Sequence, residues 1–238
     1  MFDWLRRRRR PRAAPPRVTP RADGVEIARI DLADLTPEPV GYLGRLAYLA
    51  LVLFENLGRA VAEAPTPAAK SGLGAAAEEM LRIHQGALEE LRRAGADPVA
   101  AMEPHHDAFD DFQRRTRGED WPEILVTCYL TTGFLLDFST ALAAGLPAPL
   151  GERMQTLLSA DRGEAVLVAL LREAIDPSPR LASRLAVWGR RLIGDTILVA
   201  RNALERDGVL PTEERTEPAF AELVAAHTRR MDVLGLTA

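Results

Sequence analysis

The chain has 238 residues, 47% of them hydrophobic and 27% charged, a balance that builds one domain with a real core, or two at most, and excludes a disordered chain. Aromatic residues make up 5%, too few for a surface that stacks sugars or single-stranded bases. The one cysteine, Cys128, excludes a disulfide framework and any multi-cysteine zinc or iron–sulfur centre, and fits a reducing compartment.

Charge is unevenly spread. The net charge is −4, yet eight arginines (Arg6 to Arg10, Arg12, Arg17 and Arg21) against Asp3 alone put the first 21 residues at +7 and the remainder at −11. A basic arm on an acidic body is a tether pattern. Met1 to Leu5 starts like a signal peptide, but Pro11, Pro15, Pro16 and Pro20 stand where the apolar stretch should follow. Residues 1–24 therefore read as an Arg/Pro-rich tail outside the packed domain, which takes residues 25–238. The tail is either plainly solvated or an electrostatic foot in which Arg6, Arg7, Arg8, Arg9, Arg10 and Arg12 contact RNA or an anionic surface. The longest apolar run, Val40 to Phe54, is about fifteen residues and carries Arg45, short of the roughly 18 that a membrane span needs. The reading is a soluble, cytoplasmic protein with no transmembrane segment.

In chain order, Val25 to Leu35 fits neither helical nor strand periodicity and reads as an extended arm lying on the body. Thr36-Pro37-Glu38 has the chemistry of a helix start, opening an apolar helix to about Glu63. A second helix runs from about Pro67 to Ala94, stopped by Gly95, and Asp97-Pro98 begins a shorter one. Mixed helix and loop cover Glu103 to Asp120. Asp120 then caps a third long helix to about Ala144. A fourth covers about Leu150 to Ile175 and a fifth Arg180 to Arg206, with a short amphipathic helix from about Glu214 to Met231.

Four or five helices of about 25 residues, joined by short proline breaks, predict an all-α antiparallel bundle. The first helix and the Ile124 to Phe138 stretch are apolar nearly all round, and such surface demands cover on every side. An added helix or a second subunit would supply that cover, and a homodimer is expected. A four-helix bundle is also the scaffold for a dinuclear carboxylate-bridged iron site, which takes one Glu from each of two helices and Glu-x-x-His from each of the others. Residues three before His84, His105, His106 and His227 are Leu81, Met102, Glu103 and Val224. Glu-x-x-His therefore occurs once, at Glu103 to His106, and the set fails on composition.

The stretches LGRLAYLALVLFENL, GADPVAAM, WPEILVTCYLTTGFLLDF, SRLAVWGRRLIGDTI and HTRRMDVLGL resemble an actinobacterial group of ferritin-like proteins. That group is related to the bacterial tRNA 2-methylthio-isopentenyladenosine hydroxylase. The likeness spans roughly residues 38–236, with its most specific parts at Trp121–Phe138 and Arg184–Thr196. It implies a ferritin-like four-helix bundle with additional C-terminal helices and, in metal-competent members, a non-haem di-iron oxygenase. The ligand positions it implies are mostly lost. The helix 1 acid falls on Ala50, the helix 2 pair on Leu81 and His84, and the helix 3 acid on Thr132, with Asp137 further along. The helix 4 histidine falls by Arg162, next to Gly163 and Glu164. The resemblance thus implies a degenerate member, with His84, Asp137 and Glu164 as relic candidates.

Taken singly, His84 reads as a relic ligand or as a hydrogen-bonded helix residue. His105-His106-Asp107 with Asp110 and Asp111 reads as an adventitious metal site or a solvated acidic loop. Asp137, in an apolar helix, needs a partner, for which Arg162 or Arg190 is expected. Cys128 reads as a core residue, Trp188 as a packing residue with Arg190, Arg191 and Asp195 in helical reach, and Arg229 and Arg230 as surface charges. No catalytic residue, metal or cofactor is predicted. The first reading is a non-catalytic binding or scaffold protein. The alternatives are a di-iron hydroxylase of a modified tRNA nucleoside, which would carry iron, and a binder of a lipophilic small molecule in the bundle core.

Overall fold

The computed structural model describes residues 31–159, 163–206 and 213–236, so the arginine-rich segment with Arg6, Arg7, Arg8, Arg9, Arg10 and Arg12, together with Arg162, lies outside the described residues. Those residues form helices and no strand: α1 (Pro39–Glu63), α2 (Pro67–Arg93), α3 (Pro98–Met102), α4 (His106–Arg115), α5 (Trp121–Ala143), α6 (Leu150–Leu158), α7 (Glu164–Ile175), α8 (Pro179–Arg206) and α9 (Glu213–Val233). The expected all-α bundle stands, with α1, α2, α5 and α8 as its long helices.

Each predicted break has a local cause. Thr66 caps α2 by accepting from the Ala69 amide at 3.1 Å, and Asp120 caps α5 by accepting from the Glu123 amide at 3.1 Å. Proline in the first turn of both helices gives up only an amide that had no helical partner. Three differences stand out. The Thr36 hydroxyl does not cap α1, which begins at Pro39; it is shared between the carbonyls of Ala33 (2.8 Å) and Leu142 (2.5 Å). The described end of the predicted arm is a 3-10 turn, Leu32–Leu35, closed by a capping box between Asp31 and Asp34, with Leu32 and Leu35 buried. The predicted fourth helix is two helices, α6 and α7. Gly163 takes φ +68° at the start of α7, and a Cβ there would overlap the Ala76 Cβ of α2, so the chain turns where only glycine fits.

α5 is the axis of the molecule, with 18 of its 23 residues buried under α1, α6, α7, α8, α9 and the 3-10 turn. Its polar atoms are used to fix neighbours. Trp188 Nε1 of α8 donates to Thr127 Oγ1 at 2.9 Å, and the Tyr42 hydroxyl of α1 donates to the Ser139 carbonyl at 3.0 Å. α1 and α5 are both long and apolar enough for a membrane span by length and composition, although the residue string alone had suggested otherwise. Most of each apolar window is buried inside the chain. The same cover removes the reason given for a second subunit, because the all-round apolar faces are met by the chain's own helices rather than left open.

Candidate functional site

α5 carries Asp137 on the face it turns toward α7 and α9. There the Arg230 guanidinium of α9 reaches it, Nη2 to Asp137 Oδ2 at 2.7 Å, while Nε reaches Glu164 Oε1 of α7 at 3.3 Å. The arginine side chain is only 13% exposed. It lies over Gly133, where a Cβ would fall inside the van der Waals radii of Arg230 Nε and Cζ. A second tie between the same helices comes from Arg172 of α7, whose Nη2 donates to the Val233 carbonyl at the end of α9 at 2.6 Å. α9 is held from its apolar side by Phe220, stacked on Phe138 with ring centroids 6.1 Å apart, and by Met231 against Gly189 of α8.

Asp137 and Glu164, two of the three relic candidates, are therefore brought to one point, and a cation of the chain itself lies between them. Arg162, one expected partner of Asp137, lies outside the described residues, and Arg190 was the other; Arg230, which had been read as a surface charge, makes an ion pair with Asp137. A signal for it exists in the sequence. Gly133 lies one helical turn before Asp137 on an otherwise bulky apolar helix and leaves a berth on the same face for a long side chain.

The third candidate lies elsewhere. His84 on α2 is half-buried, and its Nδ1 is 2.8 Å from the Ala47 carbonyl of α1, to which it donates. Ala50 is buried without a donor atom, Leu81 is apolar, and Thr132 offers only a hydroxyl. Among the described residues no group of three or more His, Cys, Asp or Glu side chains comes together. A dinuclear iron site needs several carboxylates and imidazoles converging on two metal ions. The residues present do not fit one, because the two relic carboxylates that come together, Asp137 and Glu164, already enclose a guanidinium that stays charged.

The remaining candidates resolve into structure. His106 lies 3.0 Å from Asp107 Oδ1 and 3.4 Å from Asp110 Oδ2, and the Tyr48 hydroxyl donates to Asp110 Oδ1 at 2.7 Å. Burial and that hydrogen bond raise the Tyr48 phenol well above its usual range. Cys128 is buried, and burial pushes its thiol up to about 12, so no thiolate nucleophile is available near neutrality. His227 was not singled out by the sequence, yet it is buried beside this cluster with Nε2 donating to the Gly189 carbonyl at 3.2 Å. Burial lowers its pKa to about 4, helped by the charge of Arg230, so it is neutral at pH 7.

Asp137 also lines a half-open cavity of about 280 Å³ between the 3-10 turn, α5 and α9. Leu32, Ala141, Ala219 and Leu223 make its apolar wall, while Asp31, Glu222 and Arg229 bring charges to it.

Against known proteins, a family described as a ferritin-like domain of actinomycetes matches residues 37–211, which leaves α9 and Arg230 beyond the matched stretch. No curated protein matches the chain.

Proposed function

Because the chain belongs to the ferritin-like domain family of actinomycetes, we propose that it is a non-catalytic member, a binding or scaffold protein whose bundle no longer holds a dinuclear metal site. One observation carries this reading: Asp137 and Glu164, two of the three relic positions, are bridged by Arg230 at 2.7 and 3.3 Å. A fixed positive charge there opposes entry of a metal cation. The competing reading, a non-haem di-iron hydroxylase of a modified tRNA nucleoside, requires ligands that Ala50, Leu81 and Thr132 do not supply. The arginine-rich first 21 residues are the contact arm of the proposed binding protein, with polyanions as their partners.

A lipophilic-ligand reading has the 280 Å³ cavity in its favour. Its charged lining makes it second to the first reading.

Metal content tests the proposal. Full-length protein is expressed with added iron, purified without chelator, and its transition metals are counted per chain. The expected result is well below one metal per chain; two per chain would overturn the reading and restore the hydroxylase.

A further inference from the structure

The described part of the chain begins at Asp31, and Asp31 lines the half-open cavity between the 3-10 turn, α5 and α9. Its backbone is extended there, with φ −76° and ψ 149°. Leu32, the next residue, is buried and forms part of the apolar wall. The chain therefore joins the body at the rim of this cavity.

The cavity has a direction. α9 runs past α5 in the opposite sense, with Phe220 against Phe138 and Arg230 against Asp137 and Gly133. The 3-10 turn lies toward the other end of α5, where Thr36 bonds the Leu142 carbonyl. Glu222 is thus at the end of the cavity near Asp31, and Arg229 is two turns further on, about 10 Å along the helix. Both are exposed, and neither has an ion-pair partner among the described residues. Leu223 and Ala226 make an apolar floor between them.

The six residues before Asp31 carry the complementary order of charges. They are Val25, Glu26, Ile27, Ala28, Arg29 and Ile30, which lie outside the described residues. Counting back from Asp31, Arg29 comes first and Glu26 three residues later, about 10 Å further along an extended chain. The two spacings agree, and the charges are opposite at each end. Attachment at Asp31 also gives this segment a local concentration that no separate ligand reaches.

We propose that residues 25–30 are the occupant of this cavity, laid from Asp31 along α9 with Arg29 at Glu222, Glu26 at Arg229 and the apolar residues over Leu223 and Ala226. The arginine-rich first 21 residues then leave the body beside α9, and the cavity is closed to a separate lipophilic ligand. The inference concerns where the arm is anchored, and it holds whether or not the arm binds polyanions.

The test is brief digestion of the full-length chain with trypsin, read by mass spectrometry. Cleavage after Arg29 is compared with cleavage after Arg21, each rate divided by its value in a synthetic peptide of residues 18–34. The expected result is cleavage at least tenfold slower after Arg29, because a protease needs the segment detached. Glu222→Arg and Arg229→Glu, both at exposed positions, are each expected to remove most of that protection. Adding Glu26→Arg to Arg229→Glu restores the opposite charges and is expected to restore the protection between residues 26 and 29. Equal normalised rates at Arg29 and Arg21, or protection that neither single variant changes, would overturn the inference and leave the cavity to a separate ligand. Protection that weakens on tenfold dilution would seat the segment in a second copy and overturn the intramolecular reading.

Discussion

Arg153 holds the carboxylate of Glu90 with two parallel hydrogen bonds, Nε to Oε1 at 2.8 Å and Nη2 to Oε2 at 2.6 Å, and so ties α6 to α2. Glu90 is 5% exposed and also pairs with Arg93 one turn along its own helix. The hydrogen bond from Arg153 is the main reason that its carboxyl is held below the usual carboxylate range. Its contribution is thus present above the ordinary carboxylate pKa and is lost as pH falls through the lowered value. Glu90→Ala is expected to cost about 1–3 kcal/mol at pH 7, read from the urea midpoint at constant slope, with the deficit shrinking in acid.

Glycines in the helices give a prediction in which sign, not size, decides. Gly58 of α1 and Gly194 of α8 have nothing within 4 Å of a built Cβ, whereas Gly133 has the Arg230 guanidinium there. Gly58→Ala and Gly194→Ala are expected to stabilise the fold by about 0.5–1 kcal/mol through helix propensity. Gly133→Ala gains the same propensity but displaces Arg230 from between two carboxylates, and its net effect is expected to be a loss of about 1–3 kcal/mol. A stabilised Gly133→Ala protein would show that the arginine is not seated as described.

His227 supplies a pH dependence. Its pKa is about 4 in the folded chain against an ordinary 6.5, so the unfolded state binds the additional proton between those values. Stability from this residue is full above about pH 6.5 and declines toward pH 4, by roughly 3 kcal/mol in the limit. His227→Gln is expected to flatten that part of the stability profile in denaturant titrations at pH 4.5, 5.5 and 7. A profile as steep as that of the unsubstituted protein would assign the acid loss to other groups.

Cys128 is expected to resist thiol reagents in the folded state, because its thiol is buried and pushed up to about 12. Labelling with a chromogenic disulfide should follow the urea unfolding curve. Rapid reaction in native buffer would contradict the packing of α5.

The contact arm is tested by salt. Retention on an RNA column is expected to fall steeply as salt rises and to disappear when residues 1–21 are deleted, since eight arginines there displace counterions from phosphates. Retention that survives the deletion would move the contact to the body.

Much of the architecture was readable from the residues. The boundaries of α2 and α5 follow from Thr66-Pro67 and Asp120-Trp121-Pro122, where caps and prolines act within a few residues of one another. The start of α1 was misplaced because Thr36 spends its hydroxyl on Leu142, 106 residues away, and no local pattern reports such a bond. The split between α6 and α7 turns on Gly163 meeting Ala76 of α2, which is again a long-range contact. At the candidate site, Asp137 and Glu164 could be named from the sequence as acids in need of an explanation. Gly133 marks a berth for a long side chain but not that Arg230 fills it, because adjacent surface-type arginines near residue 230 look alike until the helix is docked and one of them is buried.

α9 bears on where the domain should be cut. The family match covers residues 37–211, and a truncation at its end would follow that match. It would sever Arg230 from Asp137 and Glu164, uncover Phe138 where Phe220 stacks, and leave Arg172 without the carbonyl of Val233. The physical unit therefore extends past residue 211, and the last helix is tied into this protein by the buried Phe220, Leu223, His227 and Met231.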